Sequence, residues 1–321
     1  MGRRSRRTAA SKSFLNNLFA DIVPLLALLK LRAEMLAAII VLGYVVGEFF
    51  ARGPFAALLD AGDALVVRLK KLDKPNRGVA TLVYRGMIAV FMLLIPAMFA
   101  AALLSKNIPA LKLATYGVLI LWFGHCFQTF RTLALWRRAK VDGLPLELPG
   151  LHYLFADSHA VIRYLVATRI HGFTIGVIGG SFWYLIGGLP LMAAYLTLAA
   201  IADSYRTLAF GWAARSLFLL MDIAPRFISR ILLTLASLFT PQTKPFAGLF
   251  APTARSAIAS TLDVALGGPT PKGELPWVGK GTARLTPKHL QRTLTMVLAA
   301  TLLLVVLLAS PTLGNLLNIH R

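Results

Sequence analysis

Acidic residues are the scarcest chemistry in this chain: 13 Asp and Glu stand against 34 Lys and Arg over 321 residues, a net charge of +21. A site that holds a magnesium nucleotide through carboxylates therefore has little to draw on. Cysteine is nearly absent too, and the lone Cys126 excludes an internal disulfide and any cysteine metal cluster. There is no Walker loop, no dinucleotide glycine fingerprint and no nucleophile elbow, which removes the footing for those enzyme classes. Neither an internal repeat nor a low-complexity tract is present. The basic start is not followed by a small-residue cleavage site, so no secretory signal peptide is expected, and Ser5-Arg6-Arg7 is a poor twin-arginine match.

What the chain has in abundance is apolar surface. Hydrophobic residues make up 57% and charged residues only 15%, with a mean hydropathy of +0.69, more than a soluble core can absorb. Weakly charged runs fall at Met35–Phe50, Met87–Leu104, Leu113–Phe130, Gly172–Ala202 and Thr293–Ser310. A crossing helix needs about 20 such residues, and in lipid the backbone must satisfy itself, so these runs read as helices. The runs are continuous rather than alternating, which excludes an outer-membrane barrel. The expected fold is all-α and polytopic, with about 5–6 membrane helices plus amphipathic interfacial ones.

Lys and Arg concentrate between the apolar runs, as in cytoplasmic loops. This points to a bacterial inner (cytoplasmic) membrane protein with most loops cytoplasmic, and away from nucleic acid. Arg3, Arg4, Arg6, Arg7 and Arg68, Lys70, Lys71, Lys74, Arg77 are placed to hold anionic head groups, at about 1 kcal/mol per charge.

Along the chain, 1–34 reads as a basic tail with a short interfacial stretch, 35–310 as one membrane domain with cytoplasmic loops near 51–84, 131–170 and 203–292, and 311–321 as a C-terminal tail. Within 51–84, Leu65, Val66, Leu69 and Leu72 alternate with basic residues as on an amphipathic surface helix. Gly187-Gly188-Leu189-Pro190 divides Gly172–Ala202 and predicts a hairpin of two short helices. Arg215, Asp222, Arg226 and Arg230 give Ala213–Phe239 a charged stripe that lies along the interface or lines a cleft.

Charge inside apolar sequence marks Glu48, Arg85 and Asp222 as candidates for function. Glu48 and Arg85 sit at span ends, where a structural role suffices. Asp222 either pairs with Arg226 at i+4 or serves a ligand. His125 and Cys126 point about 100° apart on a helix, a poor metal pair, and His152, His159 and His171 lack a ligand spacing. Gly176, Gly179 and Gly180 suit close helix packing.

From Asp157 onward the chain resembles the cobalamin-biosynthesis CbiB/CobD family. The resemblance rests on Gly187-Gly188-Leu189-Pro190 with Ala194-Tyr195, then Asp203-Ser204, then Phe210-Gly211-Trp212-Ala213 with Pro225. It continues with Leu266-Gly267-Gly268-Pro269, Pro276-Trp277-Val278-Gly279 and Leu285-Thr286-Pro287. It implies ATP- and magnesium-dependent amide formation between adenosylcobyric acid and aminopropanol phosphate, a carbon–nitrogen ligase reaction. If the chain has that activity, Asp157, Asp203 and Asp222 are the candidate catalytic carboxylates, although Asp222 stands where the family has an asparagine, and Arg215, Arg226 and Ser204 are the candidates for phosphate or substrate. Gly187, Gly188, Gly211, Trp212, Pro225, Gly267, Gly268 and Pro269 would be scaffold. A corrinoid or a protein in the membrane would be the partner.

The family's acidic and amide positions fall here on Ala167, His171, Gly172 and Ile175, on Leu217-Phe218-Leu219 and on Arg255, and its first-loop histidine motif falls on Ala56-Ala57-Leu58. Two readings stand side by side: an amide synthase whose remaining aspartates converge with Arg215 and Arg226, or an inactive relative that serves as a membrane subunit, partner-binding scaffold or regulator. A transporter or channel has only the broken hairpin in its favour.

Overall fold

The computed structural model describes residues 29–46, 78–127, 158–204, 209–270 and 273–319. Helix α1 covers 29–46, α2 Val79–Leu104 and α3 Pro109–Phe127. Helix α4, Ser158–His171, runs through a π-helical segment, Gly172–Gly179, into α5, Gly180–Ser204. Helices α6, Trp212–Ser237, and α7, Ala254–Leu262, precede an antiparallel hairpin of β1, Leu266–Thr270, and β2, Gly273–Val278. Helix α8, Pro287–Ile319, ends the chain's described part. Among the described residues, three helical stretches are long and apolar enough to cross a membrane: Val79–Leu104, His159–Ala202 and Pro287–Ser310.

The second of these is folded on itself. A Cβ on Gly180 would lie 3.4 Å from Met192 Cε, although twelve residues of straight helix would hold the two about 18 Å apart. The bend is at Gly187 and Gly188, and Gly188 takes φ 68°, ψ −158°, a conformation that side chains resist. Pro190 has no N–H to give the Ile186 carbonyl. Arg32 Nη1, from α1, donates to Leu185 O at 3.2 Å and Ile186 O at 3.4 Å instead. The hairpin expected from Gly187-Gly188-Leu189-Pro190 is therefore present. The π-helical segment before it has no counterpart in the sequence reading.

One core joins α1, α3, α4, the π segment and α5 on both sides of its bend to α6, α7 and α8, with Ala101 of α2. A second joins α2, the return arm of α5 and α6. Exposed side chains are apolar where water would not tolerate them: on α2, Ile95 and Phe99 are 61% and 65% exposed. Helix α6 is inverted relative to an amphipathic helix in water, with Asp222, Pro225 and Ser229 buried while Leu220, Ile223 and Phe227 face out. Of its charged stripe, Asp222 is buried and Arg215, Arg226 and Arg230 are half-buried.

Beyond the apolar helices, α7 and the β-hairpin pack on the start of α4. Thr253 and Ser256 cap α7 reciprocally, each side chain meeting the other's backbone N–H. Arg163 Nη1 donates to Ala283 O at 2.7 Å and its guanidinium lies 5.3 Å from the Trp277 ring. His159 Nδ1 is 2.7 Å from Leu285 O.

Several sequence expectations change. The fold is not purely α, because Gly267 and Gly268, at φ 157° and 91°, carry β1 past Trp277, where a Cβ on either would collide. The 1–34 boundary falls inside α1, since Lys30 and Arg32 are helical. The loop placed at 51–84 ends by Val79, where α2 begins, and that at 131–170 gives way to α4 at Ser158. The helix ending in the expected tail 311–321 continues to Ile319. Glu48, His152, both basic clusters and the amphipathic stretch at 65–72 lie outside the described residues.

Candidate functional site

The densest buried polar chemistry lies where the π segment, the return arm of α5 and α6 meet. Asp222 is 3% exposed. Its Oδ1 accepts from the Tyr195 hydroxyl at 2.7 Å, and its Oδ2 accepts from Arg226 Nε at 2.9 Å and Nη2 at 2.6 Å. The i+4 pairing with Arg226 is therefore made, and Tyr195 completes it from another helix.

Local sequence explains the placement. Gly179 leaves room for the Tyr195 ring, since a Cβ there would overlap ring and hydroxyl atoms. Trp183 and Phe218 lie beside Tyr195, with ring centroids 6.4 and 5.5 Å away. Pro225, buried in α6, cannot donate to Met221 O, and the Trp183 indole donates there at 3.2 Å. Nearby, Trp122 Nε1 donates to Gly176 O at 3.2 Å, and Gly176 leaves room for Cys126.

The remaining predicted residues do not join this cluster as a set. Arg215 is half-buried against Gly211, whose Cβ would lie 3.0 Å from the guanidinium carbon. Seven residues of helix, about 10 Å of rise, separate it from Asp222. Asp203 and Ser204 occupy the last turn of α5 with only their backbone described, and Asp157 lies outside the described residues. Arg255 Nη2 donates to Pro276 O at 3.0 Å, and burial lowers its guanidinium pKa.

No protein-family model, curated protein or solved structure matches this chain.

The site's chemistry rests on its own geometry. Asp222 accepts three hydrogen bonds, two of them on one oxygen, and is sealed from water; this does not fit a magnesium ligand, which needs oxygen facing an open, hydrated coordination site. Among the described residues no group of three or more His, Cys, Asp or Glu could hold a metal ion. Gly188, Gly267 and Gly268 hold backbone conformations at positive φ, Pro225 leaves Met221 O to the Trp183 indole, and Gly211 leaves room for the Arg215 guanidinium. Tyr195 is the residue that the sequence reading passed over. It stood only as a motif mark beside Ala194, and nothing local ties it to Asp222, 27 positions on.

Proposed function

We propose that this chain is a multi-pass inner-membrane protein with a CbiB/CobD-like scaffold, acting as a partner-binding membrane subunit rather than as an amide synthase. The observation carrying this reading is the engagement of Asp222 by Tyr195 and Arg226, which uses the most buried described carboxylate for structure. The replacement of the family's carboxylates by Ala167, His171, Ile175, Phe218, Leu219 and Arg255 supports it independently. So does the predominance of base over acid, which disfavours a carboxylate-rich magnesium–ATP site. This reading assigns six crossing segments, α1, α2, α3, both arms at Gly187–Gly188, and α8, of which α2, the α4–α5 stretch and α8 are supported by their length and apolar composition. The basic lobe around α7 and the β-hairpin then lies on the cytoplasmic side, as the bias of Lys and Arg favours.

The test is growth complementation. The chain is expressed in a bacterium lacking its own adenosylcobinamide-phosphate synthase and fed cobyric acid as the sole corrinoid. The expected result is growth no better than empty vector, with the protein present in the membrane by immunoblot. Cobalamin-dependent growth would establish the synthase and overturn the proposal. Corrinoid retained by the purified protein without turnover would identify the corrinoid as the bound partner.

A further inference from the structure

The segment between α6 and α7 lies inside the region that sequence alone assigns to a cytoplasmic loop, yet its surface is not that of a water-exposed loop. Phe239, Phe246 and Phe250 are 67%, 56% and 91% exposed, and Leu238 beside them is 49% exposed. Leu238 and Phe239 directly follow α6, whose outward side chains Leu220, Ile223 and Phe227 are also apolar. Several large apolar side chains exposed in one short segment mark an interaction site.

The loop is firmly held. The Lys244 backbone N–H donates to Thr261 O at 2.7 Å, and Lys244 Nζ pairs with Asp263 at 2.8 Å. The Thr243 hydroxyl lies 2.8 and 2.9 Å from Ser237 O and Thr240 O, and Arg230 Nη1 donates to Ala251 O at 2.9 Å. Phe246 is kept at φ 65°, an unfavourable region for a bulky residue, while its ring points outward. An ordered loop that holds an aromatic ring outward under strain has a surface to meet.

Its position says which one. Arg292 donates to Gln242 in this loop, and Arg292 is the last charged residue before the uncharged stretch 293–310 of the α8 crossing segment. The boundary between charge and hydrocarbon on α8 is thereby tied to the loop, with Lys288 one turn earlier and exposed. Aromatic side chains beside basic ones at that level are the composition of an interfacial anchor.

We infer that residues 238–250 form an interfacial anchor, with Phe239, Phe246 and Phe250 seated in the boundary between head groups and acyl chains while Lys288 and Arg292 meet acidic head groups. This anchor is independent of whether the chain makes amide bonds.

The test uses the full chain in vesicles of phosphatidylethanolamine and phosphatidylglycerol. Cys126 is replaced by Ala, and Cys is placed singly at 239, 246, 250 and, as an aqueous control, 280, where Lys280 is exposed. Each carries a nitroxide whose collisions with oxygen and with a water-soluble nickel chelate are measured. The inference expects oxygen to dominate at the three phenylalanine positions and the chelate at 280. Chelate dominance at all three would place the loop in water, and low accessibility to both reagents would show a protein covering it; either overturns the inference. Should Cys126→Ala fail to fold, benzoylphenylalanine at 250 in the unaltered background gives a second readout: photo-adducts to lipid are expected, and adducts only to protein, or none, overturn it.

Discussion

Replacing Tyr195 by Phe removes one hydroxyl and leaves the ring in place against Gly179, Trp183 and Phe218. Asp222 Oδ1 then loses the partner that held it at 2.7 Å. A hydrogen bond to a charged group contributes about 1.5–3 kcal/mol in soluble proteins, whereas membrane-protein double-mutant cycles average about 0.6 and reach about 1.7 kcal/mol. The membrane average is low because the freed groups find other partners. Asp222, 3% exposed and already committed to Arg226, has little chance to do so. The expected loss is therefore near the upper membrane value, about 1.5 kcal/mol, read as destabilisation in SDS-driven unfolding from mixed micelles. Asp222→Asn in the Tyr195→Phe background should cost less than it does alone, because the two residues share one interaction. Arg226→Ala should cost more than Tyr195→Phe, since it strips the buried carboxylate of its counter-charge. Unchanged stability in Tyr195→Phe, or strict additivity with Asp222→Asn, would refute the claim that Asp222 is held by this network.

Gly179→Ala should destabilise strongly and lower the yield of folded protein, because its Cβ meets the Tyr195 ring, while Gly172→Ala, with nothing within 4 Å, should be tolerated; thermal stability in detergent separates the two. Thr253→Ala should cost about 1 kcal/mol through loss of the α7 cap, seen as faster local hydrogen exchange in 254–262. Arg32→Ala leaves the carbonyls at the hairpin bend without their donor, and should increase proteolysis near Gly187–Gly188 in detergent. Cleavage unchanged from the parent chain would argue against the role given to the guanidinium.

The apolar stretches that form α2, the Gly172–Ala202 hairpin and α8 are legible in the sequence because hydrocarbon leaves a continuous run of uncharged residues little choice but helix. The bend at Gly187–Gly188 is legible for an equally local reason, since two glycines and a proline within four residues favour a break in a helix. The possible pairing of Asp222 with Arg226 is readable at i+4 as well. What only the tertiary structure decided depends on residues far apart in sequence: Tyr195 reaching Asp222, Trp183 donating to the carbonyl that Pro225 leaves free, Arg32 donating to the carbonyls at the hairpin bend, and Trp277 folded over Gly268. The orientation of α6 belongs here too. A stripe of charge along a helix fits equally a face turned to water and a face turned inward, and the packing of α5 and the π segment buries Asp222 while leaving Arg215, Arg226 and Arg230 half-buried. Local sequence states which groups need partners or space, whereas only the assembled helices determine which distant residues supply them.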